Sequence, residues 1–190
     1  AYYDEGKEMT PLAFDFDNQT LFVAGRFHGR DTQAIHIWDF EHKTAGEIIA
    51  DAPDADVSQL LQDKRLKKTV GAIIPGMKTE IIYFNEEYAK LQASLNASFP
   101  GQEVYFSLSG QGAVVTTTGT NNVGTLYFYD TKNKSLEQIY AVKPELEGKK
   151  LSDQTVVHYA ARDGLNIPAY LTLPEGVAPK KLPLIAYIHG

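Results

Sequence analysis

A strand-like segment that recurs about every 45 residues constrains the fold of this 190-residue chain more than any other feature. Each copy is an apolar run that ends in an aromatic residue followed by a turn-forming residue. The copies lie at 34–39, 79–85 and 125–130. A second landmark precedes each copy in phase, at Asp17, Asp63 and Ser109. Self-similarity at this period is typical of repeat architectures, in which each repeat is one supersecondary unit.

Each repeat unit has the pattern of four short strands. Runs rich in Val, Ile, Thr, Tyr and Phe alternate with turns built from Gly, Asn, Asp and Lys. The runs are too short for a solenoid of helical hairpins, and the turn residues accept the backbone angles of tight hairpins. Four strands in about 45 residues match one blade of a β-propeller. We therefore predict three four-stranded blades at about 11–50, 57–97 and 103–141, which form a partial propeller over 1–142.

Three blades are fewer than a closed propeller requires, because closed propellers have about four to eight blades. The chain also lacks an initiator methionine, and it ends directly after an apolar run. We therefore expect it to be an internal piece of a longer parent protein that supplies the remaining blades.

The periodicity stops after the third unit, and a different pattern follows. Residues 143–154 have the polar, aperiodic composition of a linker. After the linker, 155–161 and 165–173 have the pattern of two strands joined by a hairpin turn, and 184–188 is a continuous apolar run. Such a run suits a strand that is covered on both faces, as in the parallel part of an α/β sheet. The segment 155–190 is therefore predicted to be the start of a second domain in a chain that is mainly β.

Two stretches of this second region resemble one family of peptidases. Tyr159–Gly176 is similar to the entry into the hydrolase domain of prolyl oligopeptidase-family serine peptidases, particularly the acylaminoacyl-peptidase-like branch. Leu182–Gly190 resembles the third strand of that branch and the start of its His-Gly-Gly-Pro loop. In that family a propeller is followed directly by an α/β-hydrolase domain. The resemblance therefore implies that 155–190 holds the first strands of an α/β hydrolase.

The resemblance also implies a reaction and part of a site. In the family, a serine attacks the scissile carbonyl, a histidine takes its proton and an aspartate orients the histidine. His189 and Gly190 would open the loop whose backbone N–H groups hold the oxyanion. Since no Gly-x-Ser-x-Gly elbow occurs in the sequence, we expect the triad downstream and the present chain to be inactive alone.

Several other polar residues are candidates for function because of their positions in the repeat. Arg26, His28 and Arg30 lie in a loop between two predicted strands, where they could face the central cavity and touch substrate. The pair Glu86-Glu87 resembles the glutamates with which dipeptidyl-peptidase relatives hold a free amine, but its alignment with Phe40-Glu41 assigns it to a hairpin turn. The remaining histidines lack the spacing of metal ligands, so we predict surface or loop positions for them and neither a metal nor a cofactor. These histidines are His28, His36, His42 and His158.

Charge and composition exclude several other classes of protein. The net charge of -6 argues against nucleic acid as a partner, because phosphate binding requires a concentrated basic surface. No stretch approaches the roughly 18 apolar residues of a membrane span. The chain contains no cysteine, so neither disulfides nor thiolate metal sites are expected. The compartment stays open between the cytoplasm and the periplasm or secretion.

These patterns favour a serine peptidase that hydrolyses short peptides, with the propeller as a gate that excludes folded proteins. Its expected partners are a peptide substrate and the rest of its own chain. An esterase or other acyl hydrolase on the same scaffold is one alternative. A non-enzymatic propeller that serves as a binding module is another, although the segment 155–190 has no role in a plain propeller. The sequence leaves the oligomeric state open.

Overall fold

The computed structural model describes residues 9–188, and these residues are mainly β, as predicted. The first sheet has four antiparallel strands in the order β1-β2-β3-β4. These strands are Met9–Phe14 (β1), Leu21–Gly25 (β2), Ala34–Asp39 (β3) and Thr44–Ala50 (β4). The second sheet has three strands, which are Gln59–Asp63 (β5), Lys68–Ile74 (β6) and Glu80–Tyr83 (β7).

A helix and a third sheet follow. The helix α1 is Glu86–Ser98, and the third sheet again has four strands in the order β11-β10-β9-β8. These strands are Glu103–Ser109 (β8), Gly112–Gly119 (β9), Asn122–Asp130 (β10) and Ser135–Ala141 (β11). None of the three sheets closes on itself. The grouping of these sheets into a propeller stays a prediction.

Aspartate side chains form the tight turns that the repeat predicted. Asp17 Oδ1 accepts hydrogen bonds from the backbone N–H groups of Gln19 and Thr20, at 2.8 and 2.9 Å. Three other aspartates accept the same two bonds, from N–H groups two and three residues further on. They are Asp39, Asp63 and Asp130. Because such Asx turns satisfy backbone donors where the chain reverses, aspartate recurs at these positions.

The predicted fourth strand of the second unit is wrong, because α1 occupies most of its place. Asn85 Oδ1 accepts a 3.1 Å bond from the N–H of Tyr88 and thereby caps the helix. The following sequence, EEYAKLQASLNAS, contains three alanines and no β-branched residue. Strong helix formers of this kind favour a helix once its first turn is capped. The second sheet therefore ends at β7.

The two junctions between neighbouring sheets have different cores. The first and second sheets share a core that includes the fully buried Ile35, Val57 and Ala72. At the next junction α1 packs on the third sheet, where Leu95 contacts the buried side chains of Val104 and Val115. Complete burial of a leucine side chain stabilises by about 1.5–3 kcal/mol, so this contact fixes the helix to the third sheet.

The hairpin after residues 143–154 agrees with the sequence pattern, and the role of 143–154 as a linker stays a prediction. A short 3₁₀ helix, Pro144–Leu146, follows β11. The strands Gln154–Ala160 (β12) and Asn166–Thr172 (β13) then pair in an unbroken antiparallel register. In the turn between them Gly164 has a φ of 87°, which glycine adopts without steric cost.

The strand predicted at 184–188 is wrong for the described chain. Leu184, Ile185 and Ile188 are 85%, 90% and 95% exposed, and these residues form no strand. A continuous apolar strand needs a hydrogen-bonded neighbour and cover on both faces. None of the sheets described within residues 9–188 includes this segment, and Leu184, Ile185 and Ile188 are not covered there.

The surface position predicted for His36 is also wrong. This side chain is 0% exposed on β3, and its Nδ1 lies 3.1 Å from the carbonyl oxygen of Gly46. The ring of Phe27 packs edge-on against it, with centroids 5.1 Å apart. His36 is therefore part of the packing of the first sheet. The sequence pattern around it gave no sign of this, because Ile35 and His36 are both fully buried although neighbouring strand residues point to opposite faces of the sheet.

Candidate functional site

The hairpin β12–β13 defines one end of the stacked sheets. Tyr170 on β13 donates a hydrogen bond to the carbonyl of Met77, in the loop between β6 and β7. Asp153, just before β12, accepts a 2.6 Å bond from Asn121 in the β9–β10 turn. The N–H of Leu151 also donates to Asn121 Oδ1 at 3.1 Å. We call this the hairpin end of the sheets, and the opposite end the far end.

A cleft of about 1290 Å³ opens at the hairpin end, between the second sheet, α1, the third sheet and β12. We call it the hairpin-end cleft. Uncharged polar side chains form much of its wall, and these include Thr79, Gln92, Asn96, Gln102, Thr118 and Thr155. Aromatic side chains from three elements complete the wall, namely Phe99, Tyr105 and Tyr170.

Hydrogen bonds across α1 order the polar wall of this cleft. Gln92 Nε2 donates to the carbonyl oxygen of Val104 on β8 and to Asn96 Oδ1, both at 2.8 Å. Gln92 Oε1 accepts a 3.1 Å bond from the hydroxyl of Tyr83 on β7. One glutamine thus joins α1 to both neighbouring sheets, so the helix is held at a defined place in the wall.

The charged side chains of the cleft are Lys78, Glu80 and Glu103. Glu103 Oε2 accepts a 2.7 Å bond from the hydroxyl of Tyr105. Burial raises the pKa of Tyr105, and the bond to Glu103 raises it further, so this hydroxyl stays protonated as a donor. The cleft lining thus contains two carboxylates and one ammonium group, a charge balance that favours a cationic ligand group.

A smaller cleft of about 530 Å³ lies at the far end, between the second and third sheets. Its floor holds the buried Asp63, whose Oδ2 accepts hydrogen bonds from Tyr88 and Arg65. Burial alone would raise the pKa of Asp63, but these bonds and two backbone N–H donors outweigh burial and lower it. Burial and the neighbouring carboxylate raise the pKa of Tyr88 to about 12. This group of side chains anchors the first turn of α1 to the second sheet.

Arg26, His28 and Arg30 lie in the loop after β2. This loop is at the hairpin end, because β2 starts at the β1–β2 turn at the far end and runs towards the hairpin end. Arg26 forms a 2.6 Å ion pair with Asp56, and Arg30 forms one of 2.7 Å with Asp51. His28 Nε2 lies 3.4 Å from the carbonyl oxygen of Ala45. Both guanidinium groups therefore tie their loop to the connection that leads into the second sheet. A contact of these residues with substrate stays a prediction.

The hairpin turn predicted at Glu86-Glu87 is wrong, since both residues lie in the first turn of α1. Glu86 forms an exposed 2.7 Å ion pair with Lys90, four residues on. Because β7 runs away from the hairpin end, the pair lies at the far end, remote from β12–β13. Acidic side chains in a first turn also stabilise a helix, because they interact favourably with the positive end of its dipole. The two glutamates thus stabilise the first turn of α1.

The other predicted site residues, His189 and Gly190, lie outside the described residues. Within residues 9–188, no group of three His, Cys, Asp or Glu side chains could hold a metal ion. In the same range, no helix combines the length and the apolar content that crossing a bilayer requires.

The hairpin-end cleft itself was missed from the sequence. A signal for its helix was present, because Tyr88, Leu91, Leu95 and Phe99 are spaced at three or four residues, as on one helix face. The repeat pattern masked this spacing, since it placed a fourth strand there.

Comparison with known proteins found two similar sequences, and no family model matches the chain. The chain is 26% identical to dipeptidyl aminopeptidase BIII from Pseudoxanthomonas mexicana, over 99% of its own length. It is 27% identical to dipeptidyl peptidase family member 6 from Caenorhabditis elegans, over 90% of its length. It spans only 28% and 24% of the lengths of these relatives. Both relatives are peptidases by name.

Proposed function

We propose that this chain is part of a serine peptidase of the prolyl oligopeptidase family that hydrolyses short peptides. The two similar proteins support this proposal, because the similarity runs through both the sheets and the hairpin region. The resemblance of Tyr159–Gly176 to a hydrolase-domain entry agrees with it. The serine, aspartate and histidine of the triad would lie in the rest of the protein.

The observation that carries the proposal is the position of the hairpin on the stacked sheets. β12–β13 sits over the sheet end that holds the 1290 Å³ cleft, and Tyr170 contacts the loop of the second sheet directly. A hydrolase domain that continues from β13 would therefore face this end. Peptide would reach the catalytic groups along the sheets, which would act as the gate.

A finer proposal concerns the product. Both similar proteins are named as dipeptidyl peptidases, which favours the release of dipeptides from a free amino terminus. Glu80 and Glu103 line the cleft at the hairpin end, whereas Glu86-Glu87 lies at the far end. Recognition of the amino group by the first pair agrees better with the geometry. Arg26, His28 and Arg30 would border the same end, and His189-Gly190 would begin the oxyanion loop.

The test uses the full-length protein. A fluorophosphonate probe would label the nucleophilic serine, and mass spectrometry of the labelled peptide would locate it. Chromogenic dipeptide substrates with a free amino terminus, their N-acetylated counterparts and p-nitrophenyl esters would then be compared. We expect labelling, hydrolysis of the free-amine substrates and at least tenfold lower kcat/KM for the acetylated ones. Substitution of the labelled serine by alanine is the control and should abolish turnover.

Each other outcome points to a different function. Turnover of esters without peptides would indicate an acyl hydrolase on the same scaffold. Faster turnover of acetylated peptides would keep the peptidase and overturn dipeptide release. Absence of both labelling and turnover would leave a binding module, and the proposal would be wrong.

A further inference from the structure

The second sheet ends in a strand whose outer edge is unpaired. β7 is bonded to β6 on one side, and α1 occupies the sequence position where a fourth strand was predicted. The N–H of Phe84, which follows β7, donates to the carbonyl oxygen of Val70 at 2.8 Å, on the β6 side. Because successive residues of a strand direct their backbone groups to opposite sides, Ile82 also faces β6, whereas Ile81 and Tyr83 face outward.

The outward groups have no partner in the described part of the chain. Within residues 9–188, neither the N–H nor the C=O group of Ile81 or Tyr83 makes a hydrogen bond on that side. A row of unpaired strand groups is a template for another extended chain. Added strands of this kind bind through main-chain hydrogen bonds, while the flanking pockets select side chains.

The Ile81 end of the unpaired edge borders the hairpin-end cleft, whereas Tyr83 lines the far-end cleft. Thr79, Glu80 and Ile81 line this cleft on one side, and Gln154, Thr155 and Val156 of β12 line it on the other. β12 is itself bonded only to β13 in the described sheets, so it has an unpaired edge as well. The cleft of about 1290 Å³ that these residues help to line is large enough for a bound ligand, since pockets of about 300–1,000 Å³ hold drug-sized molecules.

The cleft also has the polarity of a peptide site. Amide and hydroxyl side chains in its wall, among them Gln102 and Thr118, offer both donors and acceptors. Glu80 and Glu103 outnumber Lys78, so the charge balance favours the ammonium group of a peptide amino terminus. An aliphatic or aromatic small molecule without polar atoms would offer no hydrogen-bond partner to these amide and hydroxyl side chains.

We propose that an extended peptide binds in the hairpin-end cleft as an additional strand on the edge of β7. This inference rests on the proposed function, because it takes the peptide substrate as the occupant. Its backbone would bond to the N–H and C=O groups of Ile81, with the amino terminus towards Glu80 and Glu103. The helix α1 makes this possible, since a fourth strand at the same place would cover the edge.

Hydrogen exchange in the full-length protein tests the edge directly. The probe is a nine-residue peptide of alternating Thr and Val residues with a free amino terminus, at saturating concentration. The variant with the labelled serine changed to alanine is used, or the unchanged protein where no serine is labelled. We expect at least tenfold slower exchange at the amide of Ile81, and no change at Ile82, which already faces β6. Unchanged exchange at Ile81 with peptide bound would overturn the inference.

A matched pair of variants tests the same bond by affinity. Ile81→Pro removes the outward N–H at a place on an edge strand where proline is tolerated. Ile81→Val keeps the N–H and serves as the control. We expect at least tenfold weaker binding of the fluorescein-labelled peptide to the proline variant, and less than twofold change for valine. Equal binding by both variants would contradict the proposal.

A second probe applies where Ile81→Pro fails to fold by circular dichroism. Peptides methylated on one backbone nitrogen at a time are bound to the unchanged protein. An added strand bonded at Ile81 predicts that methylation weakens binding at one backbone nitrogen and not at its neighbours, and a uniform effect would overturn it. Peptide hydrolysis without slower exchange at Ile81 would keep the proposed function and reject this inference. Slower exchange at Ile81 without peptide hydrolysis would keep this inference and reject the proposed function.

Discussion

Asp39 and Asn85 occupy the same place in successive repeats, yet a hairpin turn follows the first and a 13-residue helix follows the second. In both cases the side chain accepts a hydrogen bond from the N–H three residues on, at 3.0 Å for Asp39 and 3.1 Å for Asn85. The cap is therefore shared, and the sequence after it decides the outcome. Ile48 and Ile49 favour a strand in the first unit, whereas the segment after Asn85 lacks β-branched residues.

This local difference changes the junctions between the sheets. Where a hairpin follows, the first and second sheets pack directly around Ile35 and Ala72. Where the helix follows, Leu95 packs on the third sheet and clefts open at both ends of the junction. The junction that contains the helix thus has a cleft at each end, and the larger of the two could hold a ligand.

Loss of the helix core should have the largest effect on this arrangement. Leu95→Ala removes a side chain that is 2% exposed and should lower the free energy of unfolding by about 2–5 kcal/mol. Urea denaturation of the intact protein, monitored by amide exchange in α1, measures it. Ile139→Ala, at a position on β11 that is 53% exposed, is the control and should cost far less. Similar losses for both variants would show that α1 is not fixed by this contact.

The strands and turns could be predicted because their causes are local. Asp17, Asp63 and Asp130 make Asx turns with residues two and three positions on, so a short sequence window contains the whole interaction. The same window predicts the turn at Gly164. The mainly β character followed from these local patterns.

The cleft and the helix could not be predicted from the repeat, because they depend on an exception to it. Asn85 stands in phase with Asp39, and this hid the helical spacing of Leu91 and Leu95. The burial of His36 depends on Phe27 and on the backbone of Gly46, which lie outside its own strand. Contacts of this kind require knowledge of how the strands and the loop of the first sheet pack.

Loss of the hydrogen bond between Tyr88 of α1 and Asp63 of the second sheet should have the next largest effect on the free energy of unfolding. Tyr88→Phe removes a hydrogen bond to the buried carboxylate of Asp63 and should cost about 1.5–3 kcal/mol, as expected for a bond to a charged group. Tyr83→Phe is the matched control, because it removes a bond to the neutral Gln92 and should cost about 0.5–1.5 kcal/mol. Chemical denaturation measures both variants. A larger loss for Tyr83→Phe would contradict the role of Asp63.

The same anchor predicts a dependence on pH. The pKa of Asp63 is lowered in the folded protein, so its contribution is complete above its ordinary value of about 3.9 and is lost as the pH falls through the folded pKa. Denaturation at a series of pH values should show a steeper loss in the unchanged protein than in Asp63→Asn. Parallel curves below about pH 4 would exclude Asp63 as the titrating group.

The helix cap gives a smaller effect that tests the shared chemistry of the repeat. Asn85→Ala leaves the N–H of Tyr88 without its acceptor and should destabilise by about 1 kcal/mol. Asn85→Asp keeps an acceptor and should preserve the stability. Amide exchange in the first turn of α1 reports the loss locally. If the alanine variant were as stable as the aspartate variant, the following sequence alone would start the helix.

The exposed ion pair on α1 should have the smallest effect, and it separates the helix role of Glu86 from a ligand-binding role. Glu86→Gln removes the pair with Lys90, and i,i+4 pairs on exposed helices contribute about 0.3–0.5 kcal/mol. Because Glu86 lies at the far end, we expect the KM of the full-length protein for free-amine dipeptide substrates to change by less than twofold. Glu80→Gln, in the hairpin-end cleft, should raise that KM at least fivefold. If Glu86→Gln raised the KM more than Glu80→Gln did, Glu86-Glu87 would be the pair that binds the amino group. The helix would then be part of the substrate site.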